Sequence, residues 1–256
     1  MKSLDMFKLD GKVGVVTGGS MGLGRQMATA LAEAGANVVI ASRKLDKCEE
    51  VASELRTMGV KSIAVRCDIG IITDCLNLIS ETVKEFGTID IMVNNAGITW
   101  GAPTLSYPLD KLDKLYQVNV RGTFTCAQAA GRVMIEQKKR GKIINISSVA
   151  GLSGSVTGEM VGYNTTKGAL ISMTKDLAVK WARYGINVNC IAPGWFVTKM
   201  TRGTLVEGDE GPVSLIPLGR YGGDTDLKGT IVFLASDASN YITGQIIVVD
   251  GGKTAR

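Results

Sequence analysis

The sequence predicts an α/β fold: a single domain over residues 1–256 in which seven parallel strands form one sheet with helices on both faces. Three observations point there. Short β-branched runs alternate from end to end with longer stretches of 3.6-residue apolar spacing, as repeated βαβ units require. Several of the short runs, VVI and IIVV among them, are apolar throughout, as expected of parallel strands covered on two faces. A glycine-rich turn follows the first of these runs and opens the first helix.

Taken in order, Val13–Thr17 is the first predicted strand, and Leu23–Ala34 carries the first amphipathic stripe. Strands at Asn37–Ala41 and Ser62–Arg66 flank a helix at Leu45–Met58, and Thr73–Phe86 leads to a fourth strand at Ile89–Val93. A long helix at Leu109–Lys138 precedes the fifth strand, Lys142–Ile146. Val161–Tyr184, the strand Asn187–Ile191, the helix Thr225–Ala235 and the strand Gln245–Val249 complete the pattern. No linker-like or repeated segment interrupts the alternation. Two loops are longer than a connection needs, Ala150–Gly162 and Pro193–Gly223, and both leave the carboxyl edge of the sheet, where ligands of such folds bind.

Composition narrows the chemistry. The chain is 45% hydrophobic and 21% charged, enough apolar material for a full core. Its 29 basic and 24 acidic residues give a net charge of +5 scattered along the chain, which suits anionic small molecules and not a nucleic-acid arm. Histidine is absent, so a Ser-His-Asp triad, an H-E-x-x-H zinc site and a Cys-His pair are all excluded. Proton transfer near pH 7 then falls to Tyr, Lys, Cys or a carboxylate in a tuned environment. The five cysteines (48, 67, 75, 126 and 190) are odd in number and form no C-x-x-C pair, so reduced thiols in a cytoplasmic protein are expected, with no metal site. The N-terminus has no signal-peptide apolar region, and no apolar run reaches the roughly 18 residues that would span a bilayer.

The turn Thr17-Gly18-Gly19-Ser20-Met21-Gly22-Leu23-Gly24 places Gly18, Gly22 and Gly24 where a Cβ would collide with a pyrophosphate or with the strand. The backbone of Met21 and Leu23 and the Ser20 hydroxyl then face the ligand at the positive end of a helix. A tight turn without a ligand is the alternative. The same residues match the G-x-S-x-G nucleophile elbow, but that reading needs a histidine and fails. At the end of the second strand, Ser42 and Arg43 leave room and charge for a 2′-phosphate, which points to NADP(H); Asp46 nearby keeps NAD(H) open.

Tyr163-Asn164-Thr165-Thr166-Lys167 sits on a predicted helix, where a spacing of four puts phenol and ammonium on one face. A phenol with a reference pKa near 10 needs such a cation to work at neutral pH. Ser147 and Ser148 end the fifth strand, Asn94-Asn95-Ala96-Gly97 the fourth, and Asn119 lies on the long helix. With T-G-x-x-x-G-x-G and Pro193-Gly194 in the same order, the chain from Lys12 to Gly252 strongly resembles the classical short-chain dehydrogenase/reductase family.

The resemblance implies a Rossmann sheet of order 3-2-1-4-5-6-7 and a catalytic set of Asn119, Ser148, Tyr163 and Lys167, with Ser147 as the fallback serine. It implies that Tyr163 exchanges a proton with a substrate oxygen that Ser148 holds. Lys167 would favour the phenolate and bond the nicotinamide ribose, and Asn119 would anchor a water linking Lys167 to solvent. Asp68 and Ile69 would lie at the adenine, Asn95, Ala96 and Gly97 along the cofactor, and Pro193, Gly194 and Val197 at its nicotinamide end. Fourteen residues separate Ser148 from Tyr163, slightly more than the family's commonest gap, which puts extra residues above the substrate.

The expected reaction interconverts a secondary alcohol and a ketone. Trp100, Trp195, Phe196 and Met200 form a candidate apolar wall for the substrate, with packing onto the core as the equal alternative. Lys199 or Arg202 would meet an anionic group. NNAGITWGAP, IAPGWFVTKMT and IPLGRYG are similar to bacterial 3-oxoacyl-thioester reductases first and to gluconate 5-dehydrogenases, for polyols or sugar acids, second. A non-catalytic nucleotide-binding subunit is the reading from another class; it would lack a Ser, Tyr or Lys that this chain retains. By resemblance the protein is a homotetramer joined partly through its last strand.

Overall fold

The computed structural model describes residues 2–154, 158–197 and 213–255. Its centre is a seven-stranded, wholly parallel sheet, and the strand order matches the one the resemblance implies. The strands are β1 (Val13–Thr17), β2 (Asn37–Ser42), β3 (Ser62–Arg66), β4 (Ile91–Asn94), β5 (Gly141–Ile146), β6 (Ile186–Pro193) and β7 (Ile246–Val249). The helices are α1 (Gly22–Glu33), α2 (Leu45–Arg56), α3 (Ile72–Phe86), α4 (Leu109–Leu115), α5 (Thr123–Glu136), α6 (Val161–Trp181) and α7 (Lys228–Ala235).

Successive residues of a strand face opposite sides, so each strand feeds two cores. Val16, Ile40, Val93 and Ile144 point to one layer with Met27 and Leu31 of α1, Leu55 of α2 and Ile231 of α7. Val15, Val39, Met92 and Ile143 point to the other with Leu78 of α3, Met134 of α5 and Leu177 of α6. Fully buried side chains such as Leu31 and Leu78 each contribute roughly 1.5–3 kcal/mol. All five cysteines are buried and unpaired. Among the described residues no helix is long and apolar enough to cross a membrane.

The long helix expected over 109–138 is interrupted. Tyr116–Gly122, between α4 and α5, winds as a π-helix, a geometry of one extra residue per turn that recurs at functional sites. Residues 225–227 form a turn before α7, because Asp226 is held by both Arg220 Nη atoms and by the Gly223 amide. α6 ends at Trp181, and a 3-10 turn (Ala182–Tyr184) closes on Gly185 at φ +74°.

β1 lies between β2 and β4, so the strand order reverses there and the loops after β1 and β4 diverge. A crevice at the carboxyl ends of β1, β4 and β5 is the consequence, and it is where such sheets bind ligands.

Candidate active site

The glycine turn after β1 is built by exclusion of side chains. Gly18 and Gly22 adopt φ +66° and +54°. A Cβ on Gly24 would stand 2.2 Å from the Gly18 oxygen and 2.5 Å from Asn95 Nδ2. Thr17 joins this turn to the next strand: its Oγ1 accepts from the amides of Asn95 (3.0 Å) and Ala96 (3.1 Å). Asn95 Nδ2 donates back to the Thr17 oxygen at 2.9 Å. Asn95, expected along a cofactor, therefore also fixes the turn, and Thr17 is the structural partner that the sequence reading passed over. α1 begins after Met21 with no side chain capping its first amides, which leaves them facing the crevice beside a buried Ser20.

At the end of β2, the Ser42 hydroxyl accepts from the Lys44 amide (3.3 Å) and touches Cys48 Sγ (3.0 Å), while Arg43 is exposed. Asp68 is half-buried; its Oδ1 accepts from the Gly70 amide at 2.9 Å, and Ile69 is buried beside it.

On the other side of the crevice, Ser147 and Ser148 separate cleanly. The buried Ser147 Oγ donates to the Lys167 carbonyl at 2.7 Å, stitching β5 to α6. Ser148 is half-buried, and among the described residues its Oγ accepts only from the Ala150 amide, at 3.2 Å. The fallback serine is thus committed to the scaffold and Ser148 keeps a hydroxyl hydrogen to donate. Behind Ser147, burial pushes the Cys190 thiol up to about 11, so it stays protonated.

Lys167 is 5% exposed, and its Nζ donates to the Ile146 carbonyl at 2.8 Å, its one acceptor among the described residues. The same Nζ lies 5.6 Å from the centroid of the Tyr163 ring. Two ammonium hydrogens remain, and a buried cation with one acceptor calls for more. Asn119, 1% exposed on the π-turn, donates from Nδ2 to the Ile98 carbonyl (2.9 Å) and to Thr166 Oγ1 (3.0 Å) and accepts from the Ile98 amide (2.8 Å). Both its hydrogens are used, so only one Oδ1 lone pair is left for a water. A Cβ on Gly97 would lie 3.2 Å from that Oδ1 and 3.7 Å from Lys167 Nζ, which makes the glycine the window between them.

The expected substrate wall is only partly there. Phe196 is 3% exposed and belongs to the core, with a Cβ on Gly222 landing 2.4 Å from its ring. Packing won at this position because the Phe196–Gly222 bridge turns the side chain onto the α1–α7 layer. Trp195 lies tilted against Tyr221, with ring centroids 6.5 Å apart, and under Lys253 Nζ at 5.4 Å, bordering a cleft of about 110 Å³ with Leu218, Arg220 and Asp250. Trp100 is exposed with Lys111 Nζ 5.2 Å above its ring. Pro193 is buried, Val197 is exposed, and Gly194 has no room for a Cβ, which would come within 2.6 Å of Asp250. Met200, Lys199 and Arg202 lie outside the described residues. Among the described residues no His/Cys/Asp/Glu group is arranged to hold a metal ion.

Comparison with known proteins decides the family. The family model described as Enoyl-(Acyl carrier protein) reductase matches residues 18–254. The crystal structure of a short-chain type dehydrogenase/reductase from Mycobacterium marinum superposes with a TM-score of 0.96 at 38% identity, covering 100% of both chains. The chain belongs to the short-chain dehydrogenase/reductase family. Within this family of oxidoreductases it is 41% identical over 243 residues to the 3-oxoacyl-(acyl-carrier-protein) reductase FabG of Staphylococcus aureus, covering 94% of this chain and 97% of that one. It is 37% identical over 255 residues to the 2-dehydro-3-deoxy-D-gluconate 5-dehydrogenase of Dickeya dadantii, covering 99% of each. A gluconate 5-dehydrogenase from Burkholderia cenocepacia, crystallised with NADP and tartrate, superposes with a TM-score of 0.92 at 38% identity over 100% of both chains.

Proposed function

We propose that this chain is an NADP(H)-dependent oxidoreductase that interconverts a secondary alcohol and a ketone, with a 3-hydroxyacyl/3-oxoacyl thioester as its substrate. The observation that carries the reading is the grouping of Tyr163, the buried Lys167 with two uncommitted hydrogens, and the half-buried Ser148 at the strand-order reversal. The dinucleotide fits the residues present. Gly18 and Gly24 pack too closely on Asn95, Ala96 and each other to admit a Cβ, which keeps the turn tight, the uncapped amides of α1 suit a pyrophosphate, and Lys167, with one acceptor among the described residues, suits ribose hydroxyls. Gly18, Ser20, Met21, Gly22, Leu23 and Gly24 would hold the phosphates, Arg43 with Ser42 the 2′-phosphate, and Asp68 with Ile69 the adenine. Asn95, Ala96, Gly97, Pro193, Gly194 and Val197 would line the remainder. When bound, the nicotinamide supplies or accepts the hydride.

In the reduction direction, Ser148 donates to the substrate oxygen and aligns it, and Tyr163 gives that oxygen its proton. Lys167 stabilises the resulting phenolate by its charge. Gly97 leaves the space through which Asn119 and Lys167 share a water, the route by which a proton returns. The exposed Arg43 and the NADP named with the Burkholderia structure support NADP(H) over NAD(H). The 41% identity to a 3-oxoacyl thioester reductase supports the substrate class. A sugar acid is the second reading, favoured by relatives of that type that match this chain over 99% of its length.

The unpaired cysteines support a cytoplasmic setting. Val248, 38% exposed on the edge strand β7, supports a homotetramer built partly through that strand.

The test is reduction of acetoacetyl-CoA with NADPH, run beside oxidation of gluconate with NADP+. Tyr163→Phe should lower kcat by at least about 100-fold while leaving the NADPH Kd within about threefold. A variant as fast as the parent would remove Tyr163 from the reaction, and turnover of gluconate alone would move the substrate class to the second reading.

A further inference from the structure

Tyr163 stands in the first turn of α6, whose leading amides no side chain caps. Helix starts leave their first amides without intrahelical acceptors, and Met160, at the N-cap position, supplies no side-chain cap. The approach to this turn is braced from outside by residues 99–107, the segment between β4 and α4. The Ala102 amide donates to the Glu159 carbonyl at 2.8 Å, and Thr99 Oγ1 lies 4.0 Å from Met160 Sδ. A Cβ on Gly101 would come within 3.0 Å of both the Glu159 oxygen and Met160 Sδ, so the two segments are in close contact.

Tyr107 completes the contact. Its Oη donates to the Trp100 carbonyl at 3.1 Å, which fixes the ring, and burial raises its phenol above the usual value, so it remains a donor. The ring tip lies directly against Gly162: a Cβ there would stand 2.4 Å from Tyr107 Oη and 2.9 Å from its Cζ. Gly162 is the residue immediately before Tyr163, and it is helical, so the need for glycine comes from Tyr107, closest at Oη, and from Leu115 Cδ1 at 2.9 Å, and not from a left-handed backbone.

We propose that Tyr107 is a positioning residue for Tyr163: anchored on the Trp100 carbonyl and seated on Gly162, it packs against the uncapped first turn and sets where the Tyr163 hydroxyl meets the substrate oxygen. This rests on the reading of Tyr163 as the acid-base group. Tyr107 itself touches no reacting atom. Misplacement of a reacting group by about 1 Å can cost about 100-fold in rate, so a ring that fixes one helical turn has leverage on kcat without contributing to binding.

The experiment is a double-mutant cycle of Tyr107→Leu and Gly162→Ala, with Tyr107→Phe as the conservative variant. Acetoacetyl-CoA reduction is normalised to the sites that bind NADPH, so unfolded protein does not count. Each single change should lower kcat by about tenfold or more with the NADPH Kd within about twofold. The double variant should lose clearly less than the two single losses multiplied together, because removing the ring relieves the closest part of the clash at Gly162 and leaves only the contact with Leu115 Cδ1. Tyr107→Phe, which keeps the ring and loses only the anchor, should fall between the parent and Tyr107→Leu.

Amide exchange over residues 161–166 supplies a readout that needs no substrate, and it should speed up in Tyr107→Leu. Losses that multiply in the double variant, or unchanged kcat and exchange in Tyr107→Leu, would overturn the proposal. If Tyr163→Phe retained turnover, the reading of Tyr163 would fail by itself. If the parent reduced no tested ketone, exchange over 161–166 would decide whether Tyr107 holds the turn.

Discussion

Replacing Asn119 by alanine tests how the π-turn supports the site. The side chain makes three hydrogen bonds, two to the backbone of Ile98 (2.8 and 2.9 Å) and one to Thr166 Oγ1 (3.0 Å). A buried hydrogen bond contributes about 1 kcal/mol net, and a partner left buried without a substitute costs more. Ile98 is half-buried at the crevice, so water reaches its amide and carbonyl in the variant, and Thr166 keeps its own donation to the Tyr163 carbonyl. The loss should therefore be about 3 kcal/mol, the sum of three ordinary bonds. Urea unfolding at pH 7 and fixed protein concentration measures it as a lowered midpoint with unchanged slope. Asn119→Asp should lose at least as much, since a carboxylate accepts from the Ile98 amide but faces the Ile98 carbonyl without a hydrogen. A loss below about 0.5 kcal/mol, the size of an ordinary surface change, would refute the claim that Asn119 splices the β4 loop to α6.

Three other outcomes are expected. Gly24→Ala forces a Cβ toward the Gly18 oxygen and Asn95, so NADPH affinity measured by fluorescence titration should fall by at least about tenfold, equivalent to about 1.4 kcal/mol; unchanged affinity would show that the turn does not hold the phosphates. Arg43→Asp should shift the ratio of kcat/KM values from NADPH toward NADH, and a constant ratio would remove Arg43 from cofactor choice. Lys142 is 7% exposed and donates to Asn187, Ser239 and Asn240, with Asp237, Arg140 and Lys12 as neighbouring charges. Burial, the largest influence, brings its ammonium down from 10.5 to about 8. The unfolded chain then binds more protons between those values, so stability should rise with pH across that window, by at most about 3 kcal/mol. Denaturant midpoints from pH 7.5 to 10.5 check this, and Lys142→Met should flatten the rise; an equal rise in that variant would assign it to other groups.

Much of this architecture was legible because the relevant physics is local. Val13–Thr17 and Ser62–Arg66 read as strands and are β1 and β3 with the same ends, since a β-branched run between turn residues has few other uses. Gly18, Gly22 and Gly24 read as a close-approach turn; Gly18 and Gly24 have no room for a Cβ, and Gly18 and Gly22 have positive φ. Elsewhere the sequence left two readings that only packing separates. Ser147 and Ser148 are identical neighbours, told apart by the alternation of β5. Phe196 after Pro193-Gly194 suits a lid or a core equally, and its bridge to Gly222, distant in sequence, turned it inward. The π-turn was illegible because nothing in Tyr116–Gly122 tells one helical winding from another, and its Asn119 finds its partners at Ile98, distant in sequence. Tyr107 gave no local signal either; the trace of its role is a glycine fifty-five positions later, at 162.

The π-turn also sets a phase. α4 and α5 are two halves of one rod, and the seven residues between them fix how far one half is rotated about its axis relative to the other. Removing a single residue there would leave a continuous helix, yet swing everything ahead of it by about 100° and draw it in by about 1.5 Å. Lys111, poised over Trp100, rides on that first half, and Tyr107 lies two residues ahead of its start. Shortening this stretch by one would re-aim the crevice's entrance while leaving its floor intact, so the length of the segment matters as much as its composition.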